Sequence, residues 1–294
     1  MKTLTPELLH RDTADVGEGP LWDPRVQRLY WVDIPRQKLF RFDPLTGANE
    51  AFTLPDIVTS VHQRAKGGLL LTLRKNVVFY DPDTGNLERV ASIEPDLPKH
   101  RFNDAACDPR GNLWVGTMHT ELWNQPEGAL YRVDQTLTPM LQAKGISCSN
   151  GTGWSPDGRT MYHTDSFHYG VFAYDFDPET ASISNRRTFA SVDPKSGMFP
   201  DGLTVDAEGG VWSAHMGVGK IVRYDPEGKV EREIQLPVSR GTSCVFGGAN
   251  LDVLYITTAQ NTLTPAQLEK EPLAGSLFAC DTGCRGRAAT PFCG

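Results

Sequence analysis

The stretch GLTVDAEGGVWSAHMGVGKIVRYDPEGKVEREIQL, Gly202 to Leu236, contains four β-rich runs: GLTVD, VWSAH, KIVRYD and VEREIQL. Each is short and carries the β-branched and aromatic residues that fit a pleated, half-buried surface. Between them lie Gly-rich or Asp-Pro turns, in which proline presets φ, the aspartate caps the turn and glycine takes the positive-φ position. Four strands joined by tight hairpins predict one antiparallel sheet.

The same unit recurs along the 294-residue chain. Its second strand is found as LYWVDI from Leu29, LLLTLR from Leu69, LWVGTMH from Leu113, MYHTDS from Met161, VWSAH from Val211 and LYITTA from Leu254. Each is followed by a β-rich run that ends in aspartate, at Asp43, Asp81, Asp134, Asp175, Asp225 and Asp281. Length alone suggests roughly two domains. Six copies, 40 to 50 residues apart, instead predict a single all-β domain over residues 1–294, a six-bladed β-propeller with four-stranded antiparallel blades around a central channel. The segment TLTPELLHRD (Thr3–Asp12) is too short for a blade and is expected to supply an outer strand that completes the last one. Trp31, Trp114 and Trp212 recur with the second strand and read as packing between blades.

Composition excludes several classes. With 39% hydrophobic and 22% charged residues, and no apolar stretch of membrane-helix length, the chain reads as soluble and globular, with no membrane partner. A net charge of −7 without a Lys/Arg run argues against a nucleic-acid partner. The start, MKTLTPELLHRD, has no continuous apolar run or small-residue cleavage site, so a cytoplasmic location is expected. Six cysteines, at 107, 148, 244, 280, 284 and 293, are too sparse for a disulfide framework and are expected to be reduced; a monomer or weak homo-oligomer is expected.

If each unit runs from the axis outward, the residue that enters its first strand lies at one mouth of the channel. In four units that residue bears an oxygen: Glu18 in VGEGPLWD, Asn103 in RFNDAACD, Asn150 in CSNGTGWS and Asp201 in FPDGLTVD. The corresponding places in the other units fall near Thr59 and Ser243, which are weaker ligands. Asn-Gly and Asp-Gly are common turn dipeptides, and the turn reading accounts for Gly151. It does not account for GEGP, nor for four aligned oxygens with Arg101 beside one of them. Hard oxygen donors without a converging His or Cys set suit a divalent cation: Ca²⁺, Mg²⁺, Mn²⁺ or, less specifically, Zn²⁺ or Fe²⁺. His119, His163 and His215 end their second strands and are expected to satisfy polar positions between blades.

GEGPLWD with LYWVDI, RFNDAACDPRGNLWVGTMH with GALYRVD, SNGTGWSPDGRTMYHTDS and FPDGLTVDAEGGVW, in that order across almost the whole chain, resemble the regucalcin (senescence marker protein)/gluconolactonase family. The resemblance implies a metal-dependent hydrolase that opens sugar-acid lactones, such as glucono-, xylono-, arabinono- or galactonolactone, with one divalent cation at the mouth. It further implies that Glu18, Asn150 and Asp201 hold the cation, that Asp201 is the general base, and that Arg101, Asn103 and Glu121 contact the substrate. The partner so implied is a small-molecule sugar lactone of carbohydrate metabolism. No G-x-S-x-G, H-E-x-x-H or P-loop motif supports another catalytic class. Two alternatives stay open: aryl-ester or phosphotriester hydrolysis at the same site, and a non-catalytic binding propeller.

Overall fold

The computed structural model describes residues 2–294. Each of the six repeats forms one sheet. The runs of Gly202–Leu236 appear as Phe199–Val205, Val211–Met216, Lys220–Tyr224 and Val230–Gln235, ordered from axis to rim and paired antiparallel. The innermost strands are Gly17–Asp23, Val58–Gln63, His100–Cys107, Ser149–Trp154, Phe199–Val205 and Gly241–Gly247. Each touches the next, and the sixth touches the first, so the sheets close into a six-bladed β-propeller.

Burial follows this order. Val58–Gln63 is buried at every position, whereas the outermost strand of the same blade, Leu87–Ser92, is buried at none. The fully buried tryptophans fill the seams: Trp114 packs with Trp154 and Met161 of the next blade, Trp212 with Phe246 and Leu254, and Trp31 with Tyr255 and Leu277 across the closure. Two seams repeat one device. Asp108 and Asp206 each accept two turn N–H groups on Oδ1, and on Oδ2 the indole N–H of Trp114 or Trp212 at 2.9 Å. The turn that joins two strands thereby also orients the residue that cements two blades.

In the last blade the outer strand is Glu7–His10, antiparallel to Leu277–Asp281, and Lys2–Leu4 adds a fifth, parallel strand to the rim of the preceding blade. A ring fastened by its own N-terminus hides edges that would otherwise expose unpaired backbone groups. The C-terminal residues cross the opposite end of the channel: the Arg285 carbonyl accepts from Ala207, Arg287 donates to the Trp154 and Ser155 carbonyls, and the buried Phe292 pairs with Gln63 and Ala65. Cys107, Cys148, Cys244, Cys284 and Cys293 carry free thiols.

Removing residues 1–10 exposes the edges of Leu277–Asp281 and Val230–Gln235, so the truncated chain is expected to unfold at a clearly lower urea concentration. An unchanged midpoint by circular dichroism would show that the N-terminal strands do not fasten the ring.

Candidate active site

The innermost strands share one irregularity. In every blade the pairing between the first and second strands slips by one residue at the same height: between Glu18 and Leu21, Val58 and Ser60, Phe102 and Ala105, Ser149 and Thr152, Pro200 and Leu203, and Gly241 and Ser243. A bulge re-aims the side chains beside it. Here it sits at Glu18, Thr59, Asn103, Asn150, Asp201 and Thr242, so the sixth position falls on Thr242, next to the Ser243 near which it was expected, and its hydroxyl donates to the Gly17 carbonyl at 2.6 Å. The Thr59 hydroxyl is engaged with that of Thr72 at 2.7 Å.

The residue after the donor is glycine in three blades, and Gly151 and Gly202 lie inside strands rather than in turns. A Cβ on Gly151 would stand 2.2 Å from the Leu203 amide nitrogen, and one on Gly202 2.1 Å from the Ser243 hydroxyl. The turn explanation of Gly151 is therefore replaced by close approach of the neighbouring inner strand.

Two buried aspartates steer the chain into these strands. Asp33 accepts the Asp15 and Val16 N–H groups at 3.0 and 3.2 Å, just before Glu18. Asp165 accepts those of Ser147 and Cys148, just before Asn150. Asn150, 5% exposed, donates from Nδ2 to the Ser166 hydroxyl at 2.8 Å, and that hydroxyl donates to the Pro200 carbonyl. This fixes the amide, and Oδ1 accepts from Asn103 Nδ2 at 3.1 Å. Asn103 also donates to the Ser149 carbonyl, and its Oδ1 accepts from Arg101 at 2.9 Å. Arg101, Asn103, Asn150 and Ser166 thus form one hydrogen-bonded arc that ends beside Asp201.

Electrostatics join the other side of the ring. Burial raises the pKa of Glu18 well above the usual carboxylate value, and the charges of Asp201 and Asp104 push it further; the Gly19 N–H and Arg101 oppose them. Asp201 is raised for the same reasons, burial first and Asp104 second. Asp104, raised by burial to about 6, was not among the sequence-derived candidates. It lines a cavity of about 180 Å³ inside the channel, with His62, Thr152 and Ser243, above the C-terminal segment. Cys148 also went unnoticed; its thiol lies 3.6 and 3.8 Å from the Asn103 and Asn150 amides.

Glu121 is set apart from this ring. It is exposed on the rim, in a 2.6 Å ion pair with Lys99 that lowers its pKa. His163 and His215 are buried, bonded to Ser149 and Tyr224, and lowered to about 4 by burial. His119 differs from the inter-blade role expected of it: Nδ1 accepts the Glu121 and Leu122 N–H groups at 3.1 and 2.9 Å and holds the rim loop.

The donor set fits a divalent cation. Buried Glu18 and Asp201 at the mouth and half-buried Asp104 just inside the channel face one guanidinium, so negative charge is in excess, and Glu18, Asn150 and Asp201 offer hard oxygens. A second acidic group, Asp206, Glu208 and Cys284, has ligand atoms within 4.8 Å of one another. There Arg223 bonds both carboxylates, at 2.7 and 3.0 Å, and takes up oxygens that a cation would need.

The chain is a closed six-bladed propeller with an acidic, oxygen-lined mouth. Residues 16–260 match the family described as SMP-30/Gluconolactonase/LRE-like region. Rabbit (Oryctolagus cuniculus) regucalcin is 35% identical, over 99% of each chain. YvrE of Bacillus subtilis (strain 168), whose name assigns it provisionally to the sugar lactone lactonases, is 35% identical over 98% of each. The crystal structure of a calcium-binding regucalcin from Agrobacterium tumefaciens superposes with a TM-score of 0.94 at 26% identity, covering 99% of this chain and 98% of that one. The chain belongs to the SMP-30/gluconolactonase/LRE-like family, and membership places it among lactone-hydrolysing enzymes. Among the described residues no helix is long and apolar enough to cross a membrane.

In protein stripped of divalent ions, the raised pKa of Asp104 sets the sign of a pH effect. Its folded value near 6 exceeds the ordinary 3.8, so its contribution is fully present below about pH 4 and is lost as pH rises through 6. Asp104→Asn is expected to flatten the decline in urea stability between pH 4 and 7. A variant whose pH profile parallels wild type would contradict the assignment.

Proposed function

We propose that the chain opens sugar-acid lactones to the sugar acid, with Glu18, Asn150 and Asp201 holding one divalent cation at the channel mouth. The observation that carries this reading is the convergence of buried, mutually repelling carboxylates on a mouth that already holds an oriented amide oxygen. When bound, the cation would supply Lewis acidity to the lactone carbonyl and to water.

The chain's own groups do the rest. Asp201 accepts the Gly202 N–H, and its remaining oxygen takes the proton from attacking water. The water oxygen bonds to the carbonyl carbon, the ring C–O bond breaks, and the proton passes to the departing oxygen. Arg101 places positive charge where the oxyanion develops, which is commonly a large part of the acceleration. Both Asn103 N–H groups are held by Ser149 and Asn150, so the second lone pair of its Oδ1, beside Arg101, is what can accept from a substrate hydroxyl. Glu121 keeps an oxygen free of its ion pair with Lys99 and can accept from a sugar hydroxyl at the rim.

Burial and repulsion raise both acids, so removing one charge is not expected to unfold the protein. Glu18→Gln and Asp201→Asn should each lower kcat/KM on aldonolactones at least about a hundredfold in a pH-stat assay, with the circular dichroism spectrum retained. Chelation should abolish the wild-type rate, and one of Ca²⁺, Mg²⁺, Mn²⁺, Zn²⁺ or Fe²⁺ should restore it. Wild-type rates in either variant, or after exhaustive chelation, would refute the cation site.

A further inference from the structure

The two sides of the mouth differ in chemistry. Lys99, Arg101, Asn103 and Glu121 make one side polar. Beside them, beginning on the Glu121 loop itself, four aromatic rings form a continuous row: Trp123 lies 4.6 Å from Phe167, Phe167 5.1 Å from Phe199, and Phe199 5.6 Å from Tyr169, centroid to centroid. None of the four belongs to a buried core cluster, and Trp123 is 48% exposed.

The row is anchored to the donors. Phe167 follows Ser166, whose hydroxyl links Asn150 to the Pro200 carbonyl, and Phe199 immediately precedes Pro200 and Asp201. Trp123 stands on the loop that His119 pins, two residues from Glu121. Core packing does not require a half-exposed tryptophan there, and a contiguous apolar rim beside a polar cleft marks a binding surface.

We propose that Trp123 and Phe167 form a specificity platform on which the carbon face of the substrate ring stacks while its hydroxyls turn toward Arg101, Asn103 and Glu121. A polyhydroxylated lactone matches this mouth because it is amphipathic in the same sense: polarised C–H bonds cover its face and oxygens line its edge. The electron-rich faces of aromatic rings attract such C–H groups, and their area adds hydrophobic contact. An alkyl lactone satisfies only the aromatic side and brings no hydroxyl to Arg101, Asn103 or Glu121. The inference rests on lactone hydrolysis at the donor ring.

Trp123→Ala, Phe167→Ala and the conservative Trp123→Phe separate the possibilities, assayed on glucono-1,5-lactone and on a γ-alkyl lactone without hydroxyl groups. Each alanine variant is expected to raise KM for the gluconolactone about three- to tenfold with kcat within about twofold, because stacking binds ground and transition states alike. Trp123→Phe should keep a KM within about twofold of wild type, and wild type should favour the gluconolactone in kcat/KM. Unchanged KM in both alanine variants, a loss confined to kcat, or preference for the alkyl lactone would overturn the platform while leaving the donor ring intact. A wild-type protein inactive on every lactone, with its cation bound, would instead overturn the reading of the donor ring and the platform with it.

Discussion

Burying like charges together is the constraint on which the rest of this structure depends. Glu18, Asp104 and Asp201 lie at one end of a narrow channel, where water screens them poorly and Arg101 is the cation set among them. Left uncompensated, such an arrangement costs stability, and proton uptake is the cheapest relief, which is what the raised carboxyl pKa values express. A divalent cation relieves the same repulsion without neutralising the acids, so what weakens the empty fold becomes the driving force for loading the site. The rest of the propeller must be rigid enough to hold the acids there.

That rigidity comes from repetition. Each blade delivers one inner strand to the axis and each inner strand slips register at the same height, so equivalent residues emerge at one mouth. The glycines after the donors let neighbouring inner strands approach to contact distance, and Asp33 and Asp165 fix the entry of two of the strands. At the far end, paired turn aspartates and tryptophans cement the seams, and the C-terminal segment crosses the channel. The donor arc is therefore tied on both sides to elements that cannot shift independently.

The fold was legible because its signal is periodic: hairpin turns and Asp-terminated strands recur at a spacing that leaves few alternatives. The donors were legible for the same reason, since four oxygens at one repeat position are improbable as independent turns. Asp104 escaped because alternation in a regular strand sends it to the face opposite Asn103, and only the bulge, invisible in residue order, turns both toward the channel. Gly151 was misread because Asn-Gly signals a turn unless the neighbouring strand is known to press against it. His119, Cys148 and Ser166 take their importance from contacts made in three dimensions. The aromatic row draws on segments of different blades, so no spacing in the sequence announces it.

The central claim, that buried acids of raised pKa hold the cation, is tested most directly by calorimetric titration of chelator-treated protein with a divalent ion near pH 6, in buffers of different ionisation enthalpy. Carboxyls that still carry part of their protons must release them as the ion binds, so the account predicts one tight site and a net proton release that diminishes in Glu18→Gln and Asp201→Asn. Binding without proton release, or equal binding in both variants, would place the cation elsewhere and contradict the account.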